Sequence, residues 1–141
     1  MRQFAMPVRL LNSSVLKWPN RSEVDDAVRA WAGTESVKHP ELCGLAYFGS
    51  YARGDWGVGS DLDLIAIVRE SGEPFHKRAL KWDLSALPVP VDLLVYSLEE
   101  WHDLSAGESR LARTLAREAI WVFPLRGAFF EACQERLRSS T

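Results

Sequence analysis

The chain has 141 residues, of which 47% are hydrophobic and 26% are charged, and its formal net charge is -2 at pH 7. These values are ordinary for a globular domain with a substantial core, and we predict a single domain over residues 1–141. A net charge so close to zero excludes a general attraction to nucleic acid or to an anionic membrane, which disfavours a nucleic-acid partner.

Residues 1–21 form an N-terminal extension that matches no motif. Within it, residues 8–11 and 14–18 could form short strands. A helix is predicted next, because apolar residues recur at helical spacing between Ser22, the expected N-cap, and Gly33, which should end the helix.

The middle of the chain predicts three strands, with one helix between the second and the third. The compact apolar run at residues 42–48 indicates a buried strand with a tight exit turn, and the alternating run at residues 61–68 indicates a second strand. Pro74 should open a helix. The side chains that share its apolar face are Phe75, Ala79, Leu80, Leu84 and Leu87. Residues 91–96 then form the third predicted strand.

The last part of the chain predicts further helices and one more strand. Ser97 and Ser105 each begin a Ser-x-x-Glu sequence, the pattern of a capping box, so each should start a helix. Residues 120–123 could form a fourth strand, and a last helix should follow Pro124. Its inward side chains would be Phe129, Phe130, Cys133 and Leu137. This mixture of short strands and helices predicts an α/β or α+β fold.

The cysteines and the apolar segments bear on the cellular compartment. Cys43 and Cys133 lie far apart in apolar segments, as is typical of buried free thiols, and no Cys or His spacing indicates a zinc site. No apolar stretch approaches the ~20 residues of a membrane span, and the N-terminus lacks a signal-peptide pattern. We therefore expect a cytoplasmic protein that does not associate with a membrane.

Three acidic residues stand among apolar, strand-like residues. Asp61 and Asp63 are two positions apart on one predicted strand, so their side chains should project from the same face, with Cα atoms roughly 6.5–7 Å apart. Two such carboxylates repel each other unless a cation lies between them, and Mg²⁺ prefers oxygen ligands. If its strand is the neighbouring one, Asp92 adds a third carboxylate. Such a set can hold two metal ions about 3.5–4 Å apart, as in phosphoryl-type transfer.

A Gly-Ser turn precedes the acidic pair by ten residues. Gly49 lets the backbone approach an anion without a Cβ clash, and Ser50 can donate its hydroxyl and its N–H to a phosphate oxygen. If residues 50–53 form a helical turn, its N-terminus also faces the phosphates, and Arg53 could add positive charge there. The turn and the acids together predict a metal-dependent nucleotide site.

The Gly-Ser turn, the Asp-x-Asp pair and the later acid in an apolar strand resemble the minimal nucleotidyltransferase (MNT) family of the DNA polymerase β superfamily. The resemblance extends over about residues 42–123. It implies a nucleotidyltransferase fold, in which helices flank a small mixed sheet. It also implies Mg²⁺-dependent transfer of a nucleoside monophosphate, AMP from ATP, through a two-metal site.

The same resemblance implies roles for individual residues. Gly49 and Ser50 match the triphosphate-binding turn, and Asp61 and Asp63 match the metal-binding pair. Asp92 matches the third acid, which helps to hold the catalytic metal and to activate the acceptor hydroxyl.

The resemblance also implies a protein partner. Small members of the family are commonly encoded beside HEPN-domain proteins and act as antitoxins, and several adenylylate a tyrosine of the HEPN toxin. This chain has little room for a separate acceptor-binding domain, which agrees with an acceptor hydroxyl supplied by a partner.

Other interpretations stay open on the sequence alone. The chain could be a binding module that neutralises a toxin by occlusion, or a small-molecule adenylyltransferase of the aminoglycoside type. The acidic pair could be a solvated strand edge, but the turn and the third acid would then be coincidences. Arg110, Arg113 and Arg117 share a helical face, for which a solvated surface is favoured over a partner or RNA surface. Trp56, in the loop beside the site, could pack or lie over the nucleotide.

Overall fold

The computed structural model describes residues 18–123, which form a four-stranded sheet and the helices around it. In chain order the elements are α1 (Arg21–Lys38), β1 (Leu42–Phe48), α2 (Ser50–Arg53), β2 (Leu62–Val68), α3 (Phe75–Arg78), a 3₁₀ turn (Ala79–Lys81), β3 (Val91–Ser97), α4 (Leu98–Ala106), α5 (Arg110–Glu118) and β4 (Ile120–Phe123). The predicted strand at residues 8–11, the predicted strand at residues 14–18 up to Lys17, and the helix predicted after Pro124 lie outside the described residues.

The sheet is mixed, with the strand order β3-β2-β1-β4. Strand β1 runs antiparallel to both β2 and β4, whereas β2 and β3 run parallel to each other. The four strands predicted within residues 18–123 are therefore present, and the predicted mixed sheet flanked by helices is confirmed. The parallel pair matters most, because it places the starts of β2 and β3 at the same end of the sheet.

The side chains of β2 alternate between two apolar cores. One set packs in the core with α1 and consists of Leu62, Leu64, Ala66 and Val68. Ile65 and Ile67 point the other way and join clusters that contain Leu115 of α5 and Leu98 of α4. Burying each of the Leu, Ile and Val side chains among them contributes roughly 1.5–3 kcal/mol to folding. Because strand side chains alternate, Asp63 shares the face of Ile65 and Ile67.

Helix α1 begins earlier and ends later than predicted. Its N-cap is Asn20 rather than Ser22, and the Asn20 and Glu23 side chains each accept the backbone N–H of the other residue. Gly33 does not end the helix, because its position is exposed and open while Trp31 is buried on the inward face. A glycine inside a helix costs about 1 kcal/mol relative to alanine, less than the burial of this face contributes.

The long helix predicted after Pro74 is wrong, since α3 is one turn long and a 3₁₀ turn replaces the rest. Leu80 is 80% exposed and Phe75 is 42% exposed, so neither lies on a buried apolar face. Arg78 is drawn inward instead. Its guanidinium forms a bidentate pair with Glu100, with N···O distances of 2.6 and 3.1 Å, and also donates to the carbonyl of Val95.

Of the two predicted capping boxes, one is confirmed and one is wrong. The Ser97 side chain accepts the N–H of Glu100, and the Glu100 carboxylate accepts the N–H of Ser97. Ser105 instead lies in the last turn of α4, where its hydroxyl donates to the carbonyl of His102. The N-cap of α5 is Ser109, which accepts the N–H of the third helical residue. The Ser105 pattern fails because α4 continues through it.

We expect Glu100→Gln to destabilise the fold at neutral pH. The hydrogen bond from Arg78 is the main cause that lowers the pKa of Glu100 from its ordinary 4.5 to about 2. The unfolded chain takes up this proton first on acidification, so the stabilisation is present above about pH 4.5 and disappears as the pH falls towards 2. The Glu100 side chain is 44% exposed, so solvent screening reduces the effect to about 1–2 kcal/mol.

Urea unfolding at pH 7 and at pH 3, with the exposed neighbour Glu99→Gln as the control, measures this effect. The difference in the free energy of unfolding between the wild type and Glu100→Gln should be smaller at pH 3 than at pH 7. An equal difference at both pH values would contradict the ion-pair explanation.

No helix among residues 18–123 is both long enough and apolar enough to cross a lipid bilayer.

Candidate active site

The three predicted acids lie at the end of the sheet where the two parallel strands begin. Asp63 of β2 lies in register with Asp92 of β3. Asp61 immediately precedes β2, which begins one residue later than predicted, at Leu62. The charges of Asp92 and Asp61 both act on the Asp63 carboxyl, so the three carboxylates form one electrostatic cluster.

Asp63 is the most strongly perturbed member of this cluster. Burial raises its pKa from 3.8 to about 6, and the negative charges of Asp92 and Asp61 act in the same direction. The guanidinium of Arg53 opposes the shift, and the carboxylate of Glu118 adds to it. A carboxylate whose charge is disfavoured by both burial and like charges is stabilised by a bound cation.

The same shift predicts that Asp63 destabilises the metal-free protein at neutral pH. The unfolded chain loses this proton near pH 3.8 and the folded protein near pH 6, so the free energy of unfolding should fall between these values and then level off. At pH 7.5 without divalent metal, Asp63→Asn should be more stable than the wild type by about 1–2 kcal/mol, after allowance for partial exposure.

Thermal unfolding in a chelating buffer measures this stability difference. The control is Asp103→Asn, which removes an exposed carboxylate of α4 and should leave the melting temperature nearly unchanged. A melting temperature of Asp63→Asn below that of the wild type would show that the ionised Asp63 stabilises the fold rather than destabilising it.

The Gly-Ser turn leaves the sheet directly beside the acids, because Phe48, the last residue of β1, pairs with Asp63. Gly49 has φ +84, a left-handed conformation that favours glycine, and a Cβ at this position would collide with the Asp63 carboxylate. Two separate features, the left-handed backbone and the close Asp63 side chain, therefore favour glycine here. The predicted helical turn after it exists as α2 (Ser50–Arg53). The Ser50 hydroxyl makes no hydrogen bond with any residue in the described range, so it is available to a ligand.

Arg53 lies at this turn as predicted, but its guanidinium already forms ion pairs with two carboxylates. Its Nε atom donates to Asp55 at 3.0 Å, and its Nη1 atom donates to Glu118 at 3.1 Å. Glu118 was not predicted from sequence as a site residue. Its Oε2 atom also accepts the N–H of Gly49 at 2.9 Å, so it contacts the turn at two points.

Trp56 packs against the fold. Its indole stacks on the ring of Tyr51, with centroids 5.5 Å apart and planes inclined by 8°. Tyr51 is fully buried, and its hydroxyl accepts a hydrogen bond from the indole N–H of Trp18 at 2.8 Å. This core is the one beneath α1, on the opposite side of the sheet from Asp63. Trp56 therefore anchors the loop that connects α2 to β2.

The carboxylates of the site determine which divalent cation it could bind. Within residues 18–123, no three or more Asp, Glu, His or Cys side chains are grouped closely enough to enclose a metal ion. Mg²⁺ does not require such a cage, because it usually keeps several waters and binds through one or two carboxylates together with substrate phosphates. Asp61, Asp63 and Asp92 offer only oxygen donors, and burial together with the negative charges of Asp92 and Asp61 raises the pKa of Asp63. These residues fit a Mg²⁺ ion shared with a nucleotide.

A mixed sheet with a Gly-Ser turn beside acids on two parallel strands agrees with the nucleotidyltransferase fold that the sequence predicts. Residues 36–122 match the family described as the nucleotidyltransferase domain, which is more than half of the chain. The chain belongs to this family, and the predicted membership and enzyme class are confirmed. No protein of curated function matches the chain significantly.

Several solved structures share the fold. A toxin–antitoxin crystal structure with AMP-PNP is 19% identical, with a TM-score of 0.52 over 82% of this chain and 85% of that one. A mutant MntA–HpeT toxin–antitoxin is 17% identical, with a TM-score of 0.51 and the same coverage. A Sulfolobus solfataricus protein described as a nucleotidyltransferase is 18% identical, with a TM-score of 0.50 over 72% and 80% of the two chains. At such low identity these similarities show the fold alone.

Proposed function

We propose that this protein transfers AMP from ATP to a hydroxyl group of a partner protein, with Mg²⁺ bound by Asp61, Asp63 and Asp92. The observation that carries the proposal is the register of Asp63 with Asp92 directly beside Gly49. That arrangement puts an anion-binding turn next to a cation-binding set of carboxylates. An adenylyl-transfer reaction needs both of these groups.

The proposed reaction is a displacement at the α-phosphorus of ATP. The acceptor oxygen forms a bond to the α-phosphorus. The bond between the α-phosphorus and the α,β-bridging oxygen breaks, and pyrophosphate leaves. Bound Mg²⁺ would supply charge neutralisation for the phosphates and the leaving group. Asp92 would take up the acceptor proton on a carboxylate oxygen. Ser50 would bind the β- and γ-phosphates through its backbone N–H and its hydroxyl, and Gly49, whose own N–H donates to Glu118, would let the phosphates approach the backbone closely.

The proposed partner is a HEPN-domain protein, with this chain as the antitoxin of the pair. Two of the structural relatives are toxin–antitoxin complexes, one of them with AMP-PNP. Because the proposed substrate is ATP, we place the proposed reaction in the cytoplasm.

A second candidate function is neutralisation by binding alone, with the nucleotide bound but not consumed. One observation favours it: Arg53, a cation at the turn, is already paired with Asp55 and Glu118. A triphosphate would have to compete for this guanidinium. Transfer to a small molecule such as an aminoglycoside is a third candidate, but no feature of the described residues specifically favours it.

Co-expression with the HEPN-domain protein encoded nearest to this chain tests the proposal. Mass spectrometry should find AMP added to the partner, and Asp63→Asn should abolish both the addition and the neutralisation of toxicity. Full neutralisation by Asp63→Asn without added mass would support the binding function. Adenylylation of an aminoglycoside by the purified chain alone would support the small-molecule function.

A further inference from the structure

Glu118, the last residue of α5, has a buried carboxylate at a turn for which we propose phosphate binding. Its side chain is only 7% exposed, and its Oε2 atom accepts both the N–H of Gly49 and a hydrogen from Nη1 of Arg53. A carboxylate repels phosphate and is costly to bury unless it is paired. Its presence at this position therefore requires an explanation other than ligand attraction.

The end of the β1–β4 ladder explains the contact with Gly49. The last residue pair between these strands is Tyr47 with Ile120, so β4 provides no backbone partner beyond that point. Gly49 lies two residues after Tyr47, and Glu118 lies two residues before Ile120. The Glu118 side chain therefore accepts the Gly49 N–H, which has no backbone acceptor on β4. This contact fixes the residue that holds a φ of +84 beside Asp63. Arg53 supplies the positive charge that lets the carboxylate stay buried.

We infer that Glu118 is a positioning residue that holds the Gly49-Ser50 turn in its triphosphate-binding shape. This inference rests on the proposed function, because it assigns Glu118 to the same nucleotide site. The Ser50 hydroxyl has no hydrogen-bond partner among residues 18–123. Glu118 thus holds the turn without occupying the hydroxyl proposed to bind phosphate.

Charge and geometry predict opposite effects of removing this carboxylate. One negative charge fewer beside a bound triphosphate should strengthen binding, whereas a loosened turn should weaken it. Glu118→Ala removes both the charge and the acceptor for the Gly49 N–H. Glu118→Gln removes the charge but keeps an acceptor oxygen of the same reach. The order of nucleotide affinities therefore separates the two explanations.

We expect Glu118→Ala to bind Mg·ATP about tenfold more weakly than the wild type, the scale of one lost hydrogen bond at a positioned group. Glu118→Gln should bind as tightly as the wild type, or up to about threefold more tightly, because Arg53 is then released. Calorimetric titration of the full chain with Mg·ATP measures these affinities. The control is Glu108→Ala, which removes an exposed carboxylate just before α5 and should leave the affinity unchanged.

Amide hydrogen exchange without nucleotide provides a second readout, since the Gly49 N–H should exchange faster in Glu118→Ala than in Glu118→Gln. If Glu118→Ala does not fold, Glu118→Asp replaces it, because its shorter side chain cannot reach Gly49 and should also weaken binding. Wild-type affinity, or tighter binding, in the variant that loses the acceptor would overturn the inference and leave the proposed function intact. A wild-type protein that does not bind Mg·ATP would overturn both.

Discussion

Replacing Asp63 by Asn should lower nucleotidyl transfer by about 10³-fold or more, on the scale of losing metal positioning and transition-state charge stabilisation. Asp63 lies between the other two acids, in register with Asp92 and two residues from Asp61. Its carboxylate should contact the metal both before and during the reaction. The affinity for Mg·ATP should therefore fall together with the transfer rate. Calorimetry and the rate of AMP incorporation into the partner protein measure the two effects.

Asp92→Asn should separate these two effects. Asp92 comes from the neighbouring strand and is assigned to the catalytic metal and the acceptor proton. Loss of a group used mainly in the transition state lowers kcat more than it lowers binding. We expect a loss of about 10²-fold in transfer with much of the ATP affinity retained. Asp103→Asn is the control for both variants. Wild-type transfer by Asp92→Asn would remove Asp92 from the mechanism.

Gly49→Ala should damage both the fold and the nucleotide site. Alanine would have to adopt the left-handed backbone conformation of this position, and its Cβ would also push against the Asp63 carboxylate. The backbone strain costs about 1–2 kcal/mol and the steric conflict about 1–3 kcal/mol. Relief of the conflict must displace either the turn or Asp63, so binding of Mg·ATP should weaken by at least about tenfold.

Two other glycines provide matched controls for this substitution. Gly54 has φ +91 but open space around its Cβ position, so Gly54→Ala measures the backbone strain alone. Gly33 lies at an open, exposed position of α1, so Gly33→Ala should stabilise the protein by up to about 1 kcal/mol. Urea unfolding and calorimetry distinguish the three variants. If Gly49→Ala and Gly54→Ala lower the free energy of unfolding equally, the steric conflict with Asp63 does not contribute to the destabilisation.

Sequence patterns predict this fold best where one local signal decides the structure. The apolar runs of the strands are such signals. The alternation of side chains along a strand is another, because it puts Asp63 on the face of Ile65 and Ile67. Predictions failed where distant contacts outweigh local ones. The inward ion pair of Arg78 replaces a longer helix, and the buried face of α1 carries the helix past Gly33.

Glu118 could not have been found by the same reasoning. Its contact with Gly49 joins residues 69 positions apart, and only the arrival of β4 beside β1 brings them together. Charge complementarity would even argue against an acid at a phosphate-binding turn. The assigned roles of the six predicted site residues, by contrast, stay predictions that the proposed variants test. The structure establishes the proximity of Asp63 to Asp92 and to Gly49.

Transfer of label from ATP to the HEPN-domain partner tests the central claim most directly. The purified chain and its partner are incubated with Mg²⁺ and with ATP labelled at either the α- or the γ-phosphate. Nucleotidyl transfer predicts that the α-label becomes attached to the partner, that the γ-label leaves with pyrophosphate, and that Asp63→Asn prevents the labelling. Attachment of the γ-label, or no attachment of either label while Mg·ATP is bound, would contradict the proposed chemistry.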